Sequence, residues 1–501
     1  MPEITPTPDI VASLRADLLE AGYTSSAVRD TWGALADEAV GHGLRGPALA
    51  ALAGATEPVA TLARALFLGS PAAVASVDAA LPRTGSAGLV ALGLAEVTAG
   101  EVVPLALVRP QEYTGGEWWI ASDLDEAAVG GALPAAHVLG VGGASLTLAG
   151  LQLPTPVARV LDLGAGCGIQ ALRSASDTVV ATDISERALA FTRLNALLND
   201  RRGIETRLGS LFDPVAGEEF DRVVSNPPFV ITPRVAGVPA YEYRDAGLAG
   251  DELVRAFVTG VGAVLAPGGV AQLLGNWEYR GGEDGLDRVR AWVDASPVPL
   301  DAWIIEREQL DPLAYAELWV RDGGTAPGTA GYAALVEAWL ADFAAREVTA
   351  IGFGYLLLRR AASGTPTLRR FERIVQPLGD GSLGTHLAEA LAAHDRLTVL
   401  DDDALAAATF VVAGDVTEAR HHLPGAEAPS VIELRQGGAL SRTIEVDPAL
   451  AALVGASDGD LSVGALVGAI AQLLDVDATA LAADVLPRVR ELVFTGFLRF
   501  T

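Results

Sequence analysis

The chain contains no lysine, a single cysteine and a single methionine, Met1. Without lysine there is no Gly-Lys-Ser/Thr, which excludes a phosphate-binding P-loop. One cysteine, Cys167, excludes an internal disulfide framework and a cysteine-based zinc site, and points to a reducing compartment. Positive charge is scarce: 35 basic residues face 63 acidic ones, for a formal charge of -28. A surface of that sign does not hold a phosphate backbone, so any nucleic-acid role needs a local cluster of arginines. Apolar runs are broken by Gly, Pro or charge well short of the roughly 20 residues a membrane helix needs. The first residues, MPEITPTPDI, carry acids and prolines where a secretory signal has a basic patch and an apolar run. A cytoplasmic protein without a membrane partner is expected. None of the six histidines lies in a metal-ligating motif; His421 and His422 are adjacent, and neighbours in sequence rarely converge on one ion, so no metal is expected.

What remains is 501 residues, half of them hydrophobic, enough for two to four domains. Residues 1–80 read as a helical domain: Ile10, Leu14 and Leu18 repeat at helical spacing, and a second run extends from Ser25 to Val40. Residues 81–136 read as a small α+β segment, in which GLAEVTAGEVVPLALV forms a hairpin. The strand-like TGGEWWIASDLD that follows places Trp118 and Trp119 on opposite faces. From 137 to 362 strands alternate with helices, the pattern of a doubly wound, Rossmann-like parallel sheet covered on both faces. ARVLDLGAG, DTVVATDIS, FDRVVSNPPF, GGVAQLLGN, AWIIERE and AIGFGYLLLRR are its expected strands. Residues 366–501 read as an α+β, winged-helix-like domain with helices at Val463–Leu474 and Ala480–Leu492 before a short strand. That domain carries ten Arg against nineteen Asp and Glu, which favours a packing or protein-contact role over nucleic-acid binding.

Three motifs carry chemistry. In VLDLGAGCG, residues 160–168, a buried strand runs into a Gly-x-Gly-x-Gly turn that admits a ligand to the backbone. A dinucleotide fingerprint needs glycine at the next position, which is Ile169, so NAD and FAD lose ground. The second strand ends in Thr182-Asp183, where a carboxylate either accepts both hydroxyls of a ribose or caps the following helix. The third motif is Ser225-Asn226-Pro227-Pro228-Phe229. Two prolines stop the strand and remove two donors, so the Asn226 amide oxygen and the Pro227 carbonyl can accept both hydrogens of a planar NH2 group while Phe229 stacks on its face.

These motifs, in this order, resemble those of the class I S-adenosylmethionine-dependent methyltransferases, in particular the amino-methylating branch marked by Asn/Asp-Pro-Pro-Phe/Tyr. HVLGVGGASLTL at 137–148 resembles its cofactor-closing segment, GSLFDPV its third motif and LAPGG at 265–269 the turn into its fifth strand. The resemblance implies that Asp162, Gly164, Gly166 and Gly168 hold the methionine part of S-adenosyl-L-methionine and that Asp183 takes the ribose. It implies that Ser210 and Leu211 border the adenine, with Asn226 next to the cofactor, and that Asn226, Pro227 and Phe229 hold the substrate nitrogen. Arg244 and Asp245 orient substrate or pair with one another. Two substrate classes fit: a glutamine side chain in a release-factor-like protein, as for HemK-type enzymes, or a nucleic-acid base, as for rRNA guanine methyltransferases. The acidity favours the protein; any RNA reading must find its charge in arginines such as Arg234 and Arg244. A non-catalytic scaffold with the same fold is the third reading.

Overall fold

A computed structural model of the protein describes residues 3–113, 116–130, 133–134, 136–234 and 248–501. The chain divides into two compact units, Met1–Ala149 with Pro156–Pro366 and Gly150–Thr155 with Thr367–Thr501.

Seven strands form the sheet of the first unit: β1 (Val160–Leu163), β2 (Val179–Asp183), β3 (Ile204–Leu208), β4 (Phe220–Ser225), β5 (Leu265–Arg280), β6 (Leu300–Leu310) and β7 (Val348–Arg360). Their order is β6-β7-β5-β4-β1-β2-β3. β1 to β5 are parallel. β7 runs antiparallel to both β5 and β6. The wholly parallel expectation therefore holds for one side of the sheet and is corrected on the other. All four residues of β1 are buried, as a strand covered on both faces requires. β3 escaped the sequence reading because Ile204-Glu-Thr-Arg-Leu208 alternates charge with apolar residues; it is an edge strand, and its pattern is that of a solvated rim.

β5 runs past the expected stop at Asn276. Trp277 and Tyr279 both donate to the buried Glu306 carboxylate of β6 at 2.7 Å, and Asn276 Nδ2 donates to the Tyr315 hydroxyl at 2.6 Å. Polar residues that satisfy one another inside a core do not end a strand.

Before the sheet, the run from Ser25 to Val40 is two helices, Ser25–Trp32 and Ala34–Gly41, broken at Gly33 with φ 79°. The expected hairpin covers only Ala95–Thr98 and Glu101–Pro104. The end of its second apolar run, Ala106 to Val108, instead begins a separate strand, Ala106–Tyr113, paired with Gly116–Asp123. Trp119 is buried and donates to the Tyr23 carbonyl at 2.7 Å, whereas Trp118 is half-buried and stacks on Tyr113 at 3.9 Å.

In the second unit the helices near the carboxyl end are Val463–Leu474 and Ala478–Phe494, and the strand Leu498–Phe500 pairs antiparallel with Thr409–Val412. Val431–Gln436 and Thr443–Val446 form an antiparallel hairpin. Among the described residues no helix is long and apolar enough to cross a membrane.

Candidate active site

Strand order reverses between β1 and β4, and a parallel sheet opens a crevice at the carboxyl ends of its strands at such a point. A cavity of about 610 Å³ lies there. Gly164 and Gly166 from the turn after β1 line it, with Asp183 from β2, Ser210 and Leu211 from the loop after β3, and Asn226, Pro227 and Phe229 from the loop after β4. Gly164 has φ 74° and Gly166 φ 56°, and a Cβ built on either meets no atom within 4 Å. The backbone there faces open space of ligand size.

Asp183 does not cap the helix that follows it. Ser185 does, its hydroxyl accepting from Ala188 N at 3.3 Å. The Asp183 carboxylate instead accepts from Ser185 N at 2.9 Å and from Gly166 N at 3.0 Å, tying the glycine turn to the tip of β2.

Two expected cofactor residues do not line the cavity. Asp162 is wholly buried beneath the turn, where Oδ2 accepts from Ala171 N at 2.8 Å. Its Oδ1 has no hydrogen-bond partner among the described residues. Burial pushes the carboxyl up to about 7, and the charge of Asp183 adds to the rise. Asp162 therefore braces the turn from below. Gly168, φ 82°, sits where a Cβ would lie 3.0 Å from Thr192 Cγ2, so glycine is required there by packing against the helix Glu186–Leu198.

Asn226 is the polar centre of the other wall. Its Nδ2 donates to Ser145 Oγ at 3.3 Å, while its Oδ1 is buried with no hydrogen-bond partner among the described residues. Phe229 lines the cavity and packs on Phe353 of β7, ring centres 5.5 Å apart.

The methyltransferase small domain matches residues 142–238. That match spans β1 to β4 and every cavity residue named so far except Phe353, which only backs Phe229. Residues 142–238 are therefore a methyltransferase small domain, of the class I S-adenosylmethionine-dependent kind. Flanking it, residues 20–105 and 391–500 match two domains of unknown function, DUF7059 and DUF7782. Among curated relatives, a release factor glutamine methyltransferase of Aliivibrio fischeri is 39% identical over 15% of this chain and 29% of its own. A ribosomal protein uL3 glutamine methyltransferase of Bordetella pertussis is 29% identical over 40% of this chain and 72% of its own. The chain spans less than half the length of the first curated relatives it matches. Among solved structures, the YcgJ protein from Bacillus subtilis overlaps 43% of this chain and 95% of its own, at 15% identity and a TM-score of 0.28.

S-adenosyl-L-methionine is the cofactor of this class of methyltransferase domain. The open space above Gly164 and Gly166, with a carboxylate at the tip of β2, fits it. The expected closing segment lies on the cavity: His137, Val138 and Ser145 all line it. Burial lowers the pKa of His137, favouring the neutral ring. Cys167 is buried and its thiol is pushed up to about 11, which keeps it protonated and unreactive.

Sequence reasoning missed Gln170, Trp319 and Asp322, which also line the cavity of the methyltransferase domain. Gln170 donates to the Ser145 carbonyl at 2.8 Å, joining the closing segment to the helix after the glycine turn. Trp319 and Asp322 come from the helix Pro312–Asp322, which with Ala330–Ala345 fills the connection between β6 and β7. No motif marks them. Tyr315 on that helix is fully buried, and its hydroxyl accepts from Ile231 N at 3.0 Å, fixing the chain just beyond Phe229. Arg244 and Asp245 lie outside the described residues, and Arg234 donates to the Leu248 carbonyl at 3.1 Å. His421 pairs with Glu433 at 3.0 Å, and among the described residues no cluster of metal-ligating side chains occurs.

Proposed function

We propose that the protein transfers a methyl group from S-adenosyl-L-methionine to a planar amide nitrogen, and that the acceptor is a glutamine side chain of a protein. The observation that carries the reading is the Asn226 carboxamide: Ser145 fixes one end while its buried Oδ1 awaits a donor at the junction of the glycine turn and the Phe229 wall. A buried carbonyl oxygen without a partner costs roughly 1–3 kcal/mol, which an acceptor N–H returns.

The cofactor supplies a methyl group on a positively charged sulfur, already activated for displacement. The residues need to present a nitrogen lone pair in line with it. Asn226 Oδ1 and the Pro227 carbonyl accept the two N–H hydrogens, which orients the lone pair and stabilises the positive charge that develops on nitrogen. Phe229, backed by Phe353, packs on the face of the amide. No strong base is required, since the proton leaves after transfer.

A protein acceptor is supported by the formal charge of -28, by Asp322 on the cavity wall, and by relatives named for glutamine methylation of release factor and ribosomal protein uL3. The test is incubation with radiolabelled cofactor and a cell extract resolved into protein and RNA. Label in protein, on glutamine nitrogen after digestion, is expected; label confined to RNA overturns the protein reading.

A further inference from the structure

The strand Gly116–Asp123 has one edge paired with Ala106–Tyr113. Its other edge faces the helix Glu186–Leu198, and side chains satisfy it. Ala121 N donates to Asn195 Oδ1 at 2.7 Å, and Asn195 Nδ2 donates to the Ala121 carbonyl at 2.9 Å. Two residues earlier on the strand, Trp119 N donates to Asn199 Oδ1 at 2.9 Å, and Asn199 Nδ2 returns a bond to the Trp119 carbonyl at 2.8 Å. One helical turn separates the two asparagines, matching alternate residues of the strand. Two carboxamides thus stand in for a neighbouring strand.

The two clamps differ in one respect. Asn195 Nδ2 also donates to the Cys167 carbonyl, inside the glycine turn, at 2.8 Å, and one turn earlier Thr192 Oγ1 donates to the Gly166 carbonyl at 3.0 Å. Asn199 makes no such bond to the turn; its amide goes to Trp119 and to the Asn195 carbonyl. Asn195 is wholly buried. The same strand also holds the closing segment that lines the cavity at Val138. The Asp123 carboxylate accepts from Val138 N at 2.9 Å and from Arg187 Nε at 2.9 Å, and Asp123 N donates to the Val138 carbonyl at 3.1 Å.

We infer that Asn195 is a positioning residue for the cofactor turn, and that the strand Gly116–Asp123 is the common frame of both cofactor walls. Asn195 sets the turn that carries Gly164 and Gly166, and Asp123 sets the closing segment at Val138. A displacement of the hairpin is then transmitted to both sides of the cofactor at once, which couples whatever this amino-terminal part binds to cofactor affinity. The inference rests on the turn being the cofactor cradle, and its first test does not depend on methyl transfer.

Cys167, the only cysteine of the chain, is buried within the turn and serves as a reporter. Its rate of reaction with a thiol reagent measures opening of the turn in the folded protein. Asn195→Ala, which removes the bond to the Cys167 carbonyl, is expected to accelerate labelling about tenfold or more. It also weakens S-adenosylhomocysteine binding by a similar factor. Asn199→Ala, which breaks the clamp on Trp119 and the bond to the Asn195 carbonyl but none to the turn, leaves both at wild-type values while lowering the melting temperature. Thr192→Val, nearly isosteric and with no side-chain hydrogen bond to the hairpin to lose, keeps the test open where Asn195→Ala does not fold, and should accelerate labelling several-fold. Equal labelling rates in the wild type and in the Asn195 and Thr192 variants overturn the positioning role. Accelerated labelling with unchanged cofactor affinity removes the cradle assignment and leaves the clamp intact.

Discussion

The two sides of the sheet are built by different rules. Around β1, β2 and β3 the cofactor-facing surface is backbone, held by bonds no more than 17 residues long in sequence (Gly166 N to Asp183, Ala171 N to Asp162, Ser185 N to Asp183) and braced from behind by Asn195 and Thr192. Around β4, β5 and β7 the acceptor wall is made of side chains brought from far apart. Asn226 meets Ser145, Phe229 meets Phe353, and Ile231 meets Tyr315. Backbone forms the surface of the cofactor side, which is suited to one unvarying ligand; side chains form the surface of the acceptor side, where a change of substrate is a change of side chain.

That contrast can be broken most severely at Asn226. Asn226→Ala removes an acceptor needed mainly in the transition state, and kcat is expected to fall by about 10²–10³ while S-adenosylhomocysteine affinity stays at the wild-type value. Calorimetric titration beside single-turnover methylation checks it; loss of both would mean that the two walls are not separate.

Gly166→Val should do the reverse. A β-branched residue at φ 56° costs roughly 1–3 kcal/mol, and its methyl groups enter the cavity, so cofactor affinity is expected to fall about 10- to 100-fold. Cofactor binding by the isolated variant reads this directly, with its melting curve as the control for folding.

Smaller effects should follow at Tyr315. Tyr315→Phe leaves Ile231 N and Asn276 Nδ2 without their acceptor, at roughly 1–3 kcal/mol for a buried group. Urea unfolding should record that loss, and KM for the acceptor should rise several-fold while KM for the cofactor does not move. A matching rise in both would show that the helix Pro312–Asp322 serves the whole cavity.

Smallest is the pH response of Asp162. Its folded pKa of about 7 lies above the ordinary aspartate value of 3.8, so the native state holds a proton that the unfolded chain releases. The stability this contributes is fully present below about pH 4 and is lost as pH rises through 7, on the order of 1 kcal/mol per unit where the slope is greatest. Urea titrations at pH 5 and pH 8 should show a larger loss for the wild type than for Asp162→Asn; parallel losses would place the proton elsewhere.

The same division explains what the sequence disclosed. Gly164, Gly166, Asp183 and the Asn226–Phe229 run were legible because backbone geometry, or a stop at a strand end, dictates residue type within a few positions. Asp162 was legible as a motif residue but its place was not, since a carboxylate beneath a turn and one facing the cavity leave the same letters. Trp319, Asp322 and Tyr315 left no local trace: their role depends on where a helix inserted between two paired strands comes to rest. β3 was hidden by its solvated edge, and the far end of β5 by Tyr315 and Glu306, which take up the bonds of Asn276, Trp277 and Tyr279.

The connection between β6 and β7 has a further consequence, in the domain's evolution. Antiparallel neighbours are usually joined by a few residues. Here the strands keep their pairing across two helices. Loop closure grows costlier by only about 0.6 kcal/mol for each doubling of length, so the sheet is nearly indifferent to what is spliced between those strands. What this connection contributes to the acceptor wall, Trp319, Asp322 and the Tyr315 brace, can therefore be exchanged by insertion at little cost to the sheet, while Asn226 and Phe229 stay in place on the loop after β4.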